Sequence, residues 1–187
     1  MRDSSTNRST IKFIGLFIAI YLCWIVLYEW VLHPAGKLDT LIINDSSNWA
    51  LFILKKLGFP VFAGNNPTIR TIGIDGTNGL WIGDPCNGLS LFALFISFIC
   101  AYPGKWKHKL WFIPIGIILI HTMNIIRIST LCIIVKLKPE WLEFNHTYLF
   151  QVFMYGFIFL LWYIWIKNFS VNKKINSTPW ILDSKKK

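Results

Sequence analysis

The sequence predicts an all-α polytopic membrane protein: four transmembrane helices with a small extracytoplasmic helix and β-hairpin. Composition, four apolar stretches and a lopsided distribution of basic residues predict it. The 187 residues are 54% hydrophobic and 17% aromatic, more apolar side chain than one soluble core uses. The apolar stretches cover residues 13–32, 85–102, 110–135 and 147–166, close to the roughly 20 residues that cross a bilayer. Twelve of the nineteen Lys and Arg residues fall before the first stretch, between the second and third, or after the fourth. With four spans those positions share one side, which the positive-inside rule makes cytoplasmic.

In chain order, residues 1–12 form a polar cytoplasmic leader containing Arg2, Arg8 and Lys12. The first span reads as an uncleaved helix. Its apolar run exceeds a signal-peptide h-region, and no small-x-small cleavage site follows. Residues 33–84 form the extracytoplasmic insert of a membrane-embedded domain spanning 13–166. Within the insert, Asp45, Ser46, Ser47 and Asn48 offer caps for a short helix over 49–57, closed by Gly58 and apolar enough to lie on the membrane. Residues 68–74 and 80–82 flank the loop Asp75 to Gly79 and read as a hairpin.

The second span is marginal in length. Asp84 as N-cap and Pro85 as first helical residue let it begin before its strictly apolar part, and residues 85–102 then rise about 27 Å. Pro103 and Gly104 stop it. Lys105, Lys107 and Lys109 crowd the link to the third span, and residues 167–187 form a basic cytoplasmic tail. The net charge of +10 fits anchoring to an anionic inner leaflet and requires no nucleic acid.

On this frame Cys86, Arg127 and His146 come to the ends of three different spans on the extracytoplasmic side. A thiol, an imidazole and a guanidinium gathered there supply the nucleophile, base and anion-stabilising cation of thiol acyl transfer. Cys86 falls in the first turn of its helix, where free backbone N–H groups attract negative charge, although Asp84 opposes this. Cys23, Cys100 and Cys132 lie inside spans, where burial of a small apolar side chain explains them. No Cys-x-x-Cys spacing occurs, so a metal site and dithiol chemistry lack their parts; neither metal nor other cofactor is called for.

Arg127 stands seventeen residues into the third span, about 26 Å up by helix rise. Snorkelling alone could place it there. However, His121, Asn124 and Arg127 fall within an arc of about 120°, and a polar stripe in lipid should face other helices. His121, the deepest, suits a structural hydrogen bond. His146 alone would pass for an interfacial loop histidine; only its shared side with Cys86 and Arg127 raises it to a candidate base.

Cys86-Asn87-Gly88 at the start of one helix, Asn124-Ile125-Ile126-Arg127 near the end of the next, and His146 opening the one after resemble the Cys-x-Gly, Asn-x-x-Arg and His signatures of the exosortase/archaeosortase family. The likeness covers roughly residues 80–166. It implies a bacterial inner-membrane cysteine transpeptidase, and the distribution of basic residues puts both termini in the cytoplasm. Its partners would be exported proteins bearing a C-terminal sorting signal: a short motif, a transmembrane helix and a basic cluster. By the resemblance Cys86 is the nucleophile, His146 the acid/base and Arg127 the oxyanion stabiliser; Gly88 and Asn124 of the same signatures support them, as does His121 by its place on the helix face of Asn124 and Arg127. Asn87 stands where Ser is common, and the chain keeps little beyond the family core, which opens a substrate signal other than the familiar Pro-Glu-Pro type.

Two other readings use the same features. A membrane cysteine protease would employ the same triad with water as acceptor, and the acceptor leaves no motif. A non-enzymatic four-helix assembly or transport subunit would use Arg127 for helix pairing but would not need Cys86. Serine and metal proteases are disfavoured, since neither Gly-x-Ser-x-Gly nor His-Glu-x-x-His occurs.

Overall fold

A computed structural model describes residues 3–64 and 70–169, with side chains from residue 8 onward. Residues 1 and 2 of the leader, 68 and 69 of the expected first strand, and 170–187 of the expected tail lie outside the described residues. Among those described, three helices are long and apolar enough to cross a membrane. Helix α1 (Asp3–Leu27) takes in the described part of the leader and continues through a π-turn, Tyr28–Leu32, to Ala35. Helix α4 (Trp106–Leu137) is a single run of 32 residues. Helix α5 (Phe150–Phe169) completes the third candidate, which begins with the irregular turns from Pro139.

The other apolar segment is shorter than the sequence suggested. The α-helix α3 covers only Leu89–Ala101, about 20 Å of rise. Asp84–Cys86 forms a 3₁₀ turn, not the first turn of that helix. Gly88 explains the break: its φ of 83° is left-handed, which glycine adopts freely and other residues avoid. The N-cap position is therefore Gly88 and not Asp84, and Asn87 accepts a hydrogen bond from Leu89 N at 2.8 Å through its side-chain oxygen.

The helix expected between the first two spans is longer than the sequence suggested. Helix α2 spans Lys37–Lys56, with left-handed Gly36 marking its start. The four polar residues taken as caps lie mid-helix. Ser46 and Ser47 are fully buried, and Asp45 Oδ2 lies 2.7 Å from His121 Nε2 of α4; α2 packs along α4, which overrides the local capping preference.

The hairpin forms, with β2 (Thr71–Ile74) antiparallel to β3 (Leu80–Trp81). Thr77 donates to Ile74 O at 2.7 Å and secures the connecting loop. A third strand unforeseen from the sequence, β1 (Val61–Ala63), pairs with the far side of β2 and gives the order β1-β2-β3. Three residues between Pro60 and Gly64 are too short a run to show period-two alternation.

Two hydrophobic clusters result. One joins α2, the sheet and the later turns of α4 through Ile43, Leu54, Ile72, Ile74, Ile82 and Ile128. The other joins α3, α4 and α5 through Phe92, Phe95, Phe112, Ile158 and Trp165. In the second, Gly116 of α4 admits the Phe95 ring where a Cβ would collide with it. Large apolar side chains such as Ile118, Val152 and Phe153 remain exposed on the outer faces of these helices, as lipid-facing residues do.

Candidate active site

Where the two clusters meet, the turn after β3 carries Cys86. Arg70 Nη1 donates to Asp84 Oδ1 at 2.7 Å, so the carboxylate thought to oppose a negative charge beside Cys86 is already paired. Cys86 N donates to Gly83 O at 2.9 Å, closing the 3₁₀ turn. The turn meets α4 part-way along, because α3 is so much shorter than α4. Asn124, fully buried, donates from Nδ2 to the Cys86 carbonyl at 3.0 Å.

His146 reaches the thiol from a third element. It sits in a π-turn, Asn145–Leu149, a widened turn that often marks functional positions. Asn145 holds the turn by donating to Trp141 O at 2.7 Å. His146 Nε2 then lies 3.3 Å from Cys86 Sγ, across 60 residues of sequence. This is hydrogen-bonding range for sulfur and the arrangement of an activated nucleophile.

Arg127 follows Asn124 by almost one helical turn and is 8% exposed. It is close enough for its charge to act on the His146 imidazole. Its Nε is buried with no hydrogen-bond partner among the described residues, leaving a donor uncommitted in the site. The side chain also lines an apolar cavity of about 290 Å³ between α4 and α5 with Met123, Phe150 and Phe153.

The structure thus brings Cys86, His146, Asn124 and Arg127 together, with Gly88 shaping the backbone beneath them. His121 belongs elsewhere. Its Nε2 meets Asp45, and it lines a separate, largely apolar cavity of about 520 Å³ between α2 and α4. Among the described residues no group of His, Cys, Asp and Glu is arranged to hold a metal ion.

One buried carboxylate escaped the sequence reading. Asp39 is 1% exposed; its Oδ1 accepts from Tyr28 OH at 2.6 Å and from Asn87 Nδ2 at 2.6 Å. It therefore ties the end of α1 and the start of α2 to the residue after Cys86. His33 Nδ1 stands 3.5 Å from the other oxygen, Oδ2. The only available signal was an acid in an otherwise apolar stretch, which an ordinary first-turn helix acid also produces.

A helical bundle with a thiol held against an imidazole where its cap meets its core defines a membrane protein with a cysteine-centred site. A family model for transmembrane exosortases matches residues 33–164, and the chain belongs to that family. Membership makes it, in general terms, a cysteine-dependent processing enzyme of the membrane, and the matched region includes every residue of the site. No curated protein and no solved structure matches the chain.

Proposed function

We propose that the chain is a membrane cysteine transpeptidase that cleaves exported proteins carrying a C-terminal sorting signal and transfers the new acyl end to an acceptor. The observation that carries this reading is the 3.3 Å approach of Cys86 Sγ and His146 Nε2 within a chain of the exosortase family. The topology has four spans, counting α3 with the turn before it. Both termini are in the cytoplasm of a bacterial cell, and the site opens on the extracytoplasmic side of the inner membrane. The charge distribution along the chain supports that orientation.

In the reaction, Cys86 passes its proton to His146 and the sulfur attacks the scissile carbonyl carbon. The oxygen gains negative charge beside Arg127, whose uncommitted Nε supports an oxyanion role. Collapse of the intermediate breaks the C–N bond, and the departing amine takes the proton from His146. Cys86 now carries a thioester. An acceptor nucleophile attacks it, His146 receives the acceptor's proton, and that proton returns to the departing sulfur. Asn124 holds the Cys86 carbonyl and keeps the thiol facing His146. Docking of the substrate's own transmembrane helix against the bundle would bring the scissile bond to the site and lower the entropy cost of encounter.

The test co-expresses the enzyme with an exported protein from the same source that ends in a hydrophobic helix and a basic cluster. Cys86→Ser should abolish processing, a loss on the order of 10⁴-fold or more, because a hydroxyl is a far weaker acid than a thiol. Cys23→Ser, Cys100→Ser and Cys132→Ser should retain measurable activity. Normal processing by Cys86→Ala would end the cysteine mechanism.

A further inference from the structure

Beside the catalytic pair lies an open cleft of about 520 Å³ that the mechanism above does not use. Gly79, Leu80 and Trp81 form one wall; Glu140, Glu143 and His146 lie along the other. His146 is thus shared between the cleft and the thiol 3.3 Å away.

Among the described residues the strand wall is an unpaired sheet edge. β3 ends the order β1-β2-β3, with Leu80 opposite Ile72 and Trp81 opposite Thr71. Ile82 N donates to Arg70 O at 2.6 Å, so Ile82 and Leu80 use the positions that bond toward β2. Strand geometry alternates, and the N–H and C=O of Trp81 consequently point away from β2. Such an edge is a template for an added strand.

Charge narrows what that strand can carry. Glu140 and Glu143 are both exposed, and among the described residues no Lys or Arg lines the cleft. Lys136 is turned to the hairpin, where Nζ donates to Asp75 O at 2.9 Å. The Trp81 side chain, with the residue 65% exposed, offers an aromatic face to a cation. Two carboxylates and an indole around one cleft favour a basic side chain and repel an acidic one.

We infer that this cleft binds the substrate segment beside the scissile bond as an extended strand on β3, selecting a Lys or Arg there. The inference rests on the acyl-transfer reading, because it is His146 that joins the cleft to the reacting thiol. The occupant is a peptide backbone with a cationic side chain. Main-chain pairing to Trp81 sets its register, and the two glutamates set its preference.

The experiment uses the full chain in lipid nanodiscs. The probes are synthetic peptides of identical hydrophobic helix and basic cluster, varied only by Lys, Arg, Gln or Glu at each position of a ten-residue leader. The readout is a hydroxylamine-sensitive mass increase on Cys86. Wild type should acylate fastest with Lys or Arg at one position, by roughly fivefold per carboxylate over Gln. Glu140→Lys with Glu143→Lys should invert that preference, so that the Glu peptide acylates faster than the Lys peptide. N-methylation of the leader at alternate residues should suppress acylation at the positions that pair with Trp81. Acylation that ignores leader charge, or a preference the double variant leaves intact, overturns the cleft inference and spares the thiol mechanism. Absence of any Cys86 adduct from every peptide overturns both.

Discussion

The two hydrophobic clusters of this protein are built from different side chains. Around α2 and the sheet the buried residues are aliphatic, with Ile43, Leu54, Ile72, Ile74 and Ile82 all 1% exposed or less. Between α3, α4 and α5 five of the eleven buried residues are aromatic, and the Phe98 and Trp162 rings stack at 4.1 Å between centroids. On the topology proposed above, the cap formed by α2 and the sheet stands outside the bilayer and gains by removing apolar surface from water. The bundle cannot gain that way, since lipid is as apolar as Leu, and depends on close packing such as Phe95 against Gly116. The site falls at the seam: Cys86 packs against the cap cluster, while the next helix begins with Leu89 of the bundle cluster. A seam between two independently packed bodies can hold polar groups that neither core would accept.

After Cys86 itself, the largest effect on this seam should come from Arg127. If its guanidinium stabilises the oxyanion, Arg127→Lys retains charge but loses the planar fork, and processing should fall about a hundredfold to a thousandfold. The amount of membrane-inserted protein should barely change. Cleavage normalised to inserted enzyme for wild type, Arg127→Lys and Arg127→Ala measures this, and near-normal specific activity in the alanine variant would reduce Arg127 to a packing residue.

Next comes the tie between the bodies. Asp39→Ala strands the Tyr28 hydroxyl and the Asn87 amide, each costing about 1–3 kcal/mol when buried without a partner. It should also alter the rate at which iodoacetamide alkylates Cys86, since Asn87 is its neighbour. Asp39→Asn keeps an acceptor oxygen and should lie closer to wild type. An unchanged alkylation rate in Asp39→Ala would show that the network holds helices together without orienting the thiol.

A finer contrast compares the two cores directly. Leu54→Ala in the cap loses both transfer free energy and packing, whereas Leu161→Ala in the bundle loses mainly packing. The cap variant should therefore be more destabilising by about 2 kcal/mol, the transfer value of the deleted groups. Hydrogen exchange of α2 and α5 amides in nanodiscs reads each loss locally. Equal losses would mean that the cap is as sheltered from water as the bundle.

Much of the site was legible because its chemistry is rare in apolar segments. Cys86 and Arg127 stood out against their surroundings, His146 was raised only by sharing their side of the membrane, and helical spacing placed Asn124 on the same face as Arg127. The same spacing put His121 there too, yet its partner is Asp45, because a helical face says which way a side chain points and not what it meets. Asp39 was invisible for the opposite reason. An acid in the first turn of a helix is common, and only the approach of Tyr28 and Asn87, 11 and 48 residues away, makes it a buried hub.

Composition, apolar run length and the spacing of a few polar residues determined by themselves that this is a helical membrane protein with a thiol, an imidazole and a guanidinium available for one site. These signals are local, and they survive because burying charge in lipid is costly wherever it occurs. Tertiary structure alone decided that α2 runs for 20 residues along α4, that a left-handed Gly88 separates the Cys86 turn from α3, and that His146 turns toward the sulfur from a π-turn. Each of those outcomes depends on contacts between residues far apart in the chain. Their energies exceed the cap and turn preferences that a sequence displays, and no local pattern encodes them.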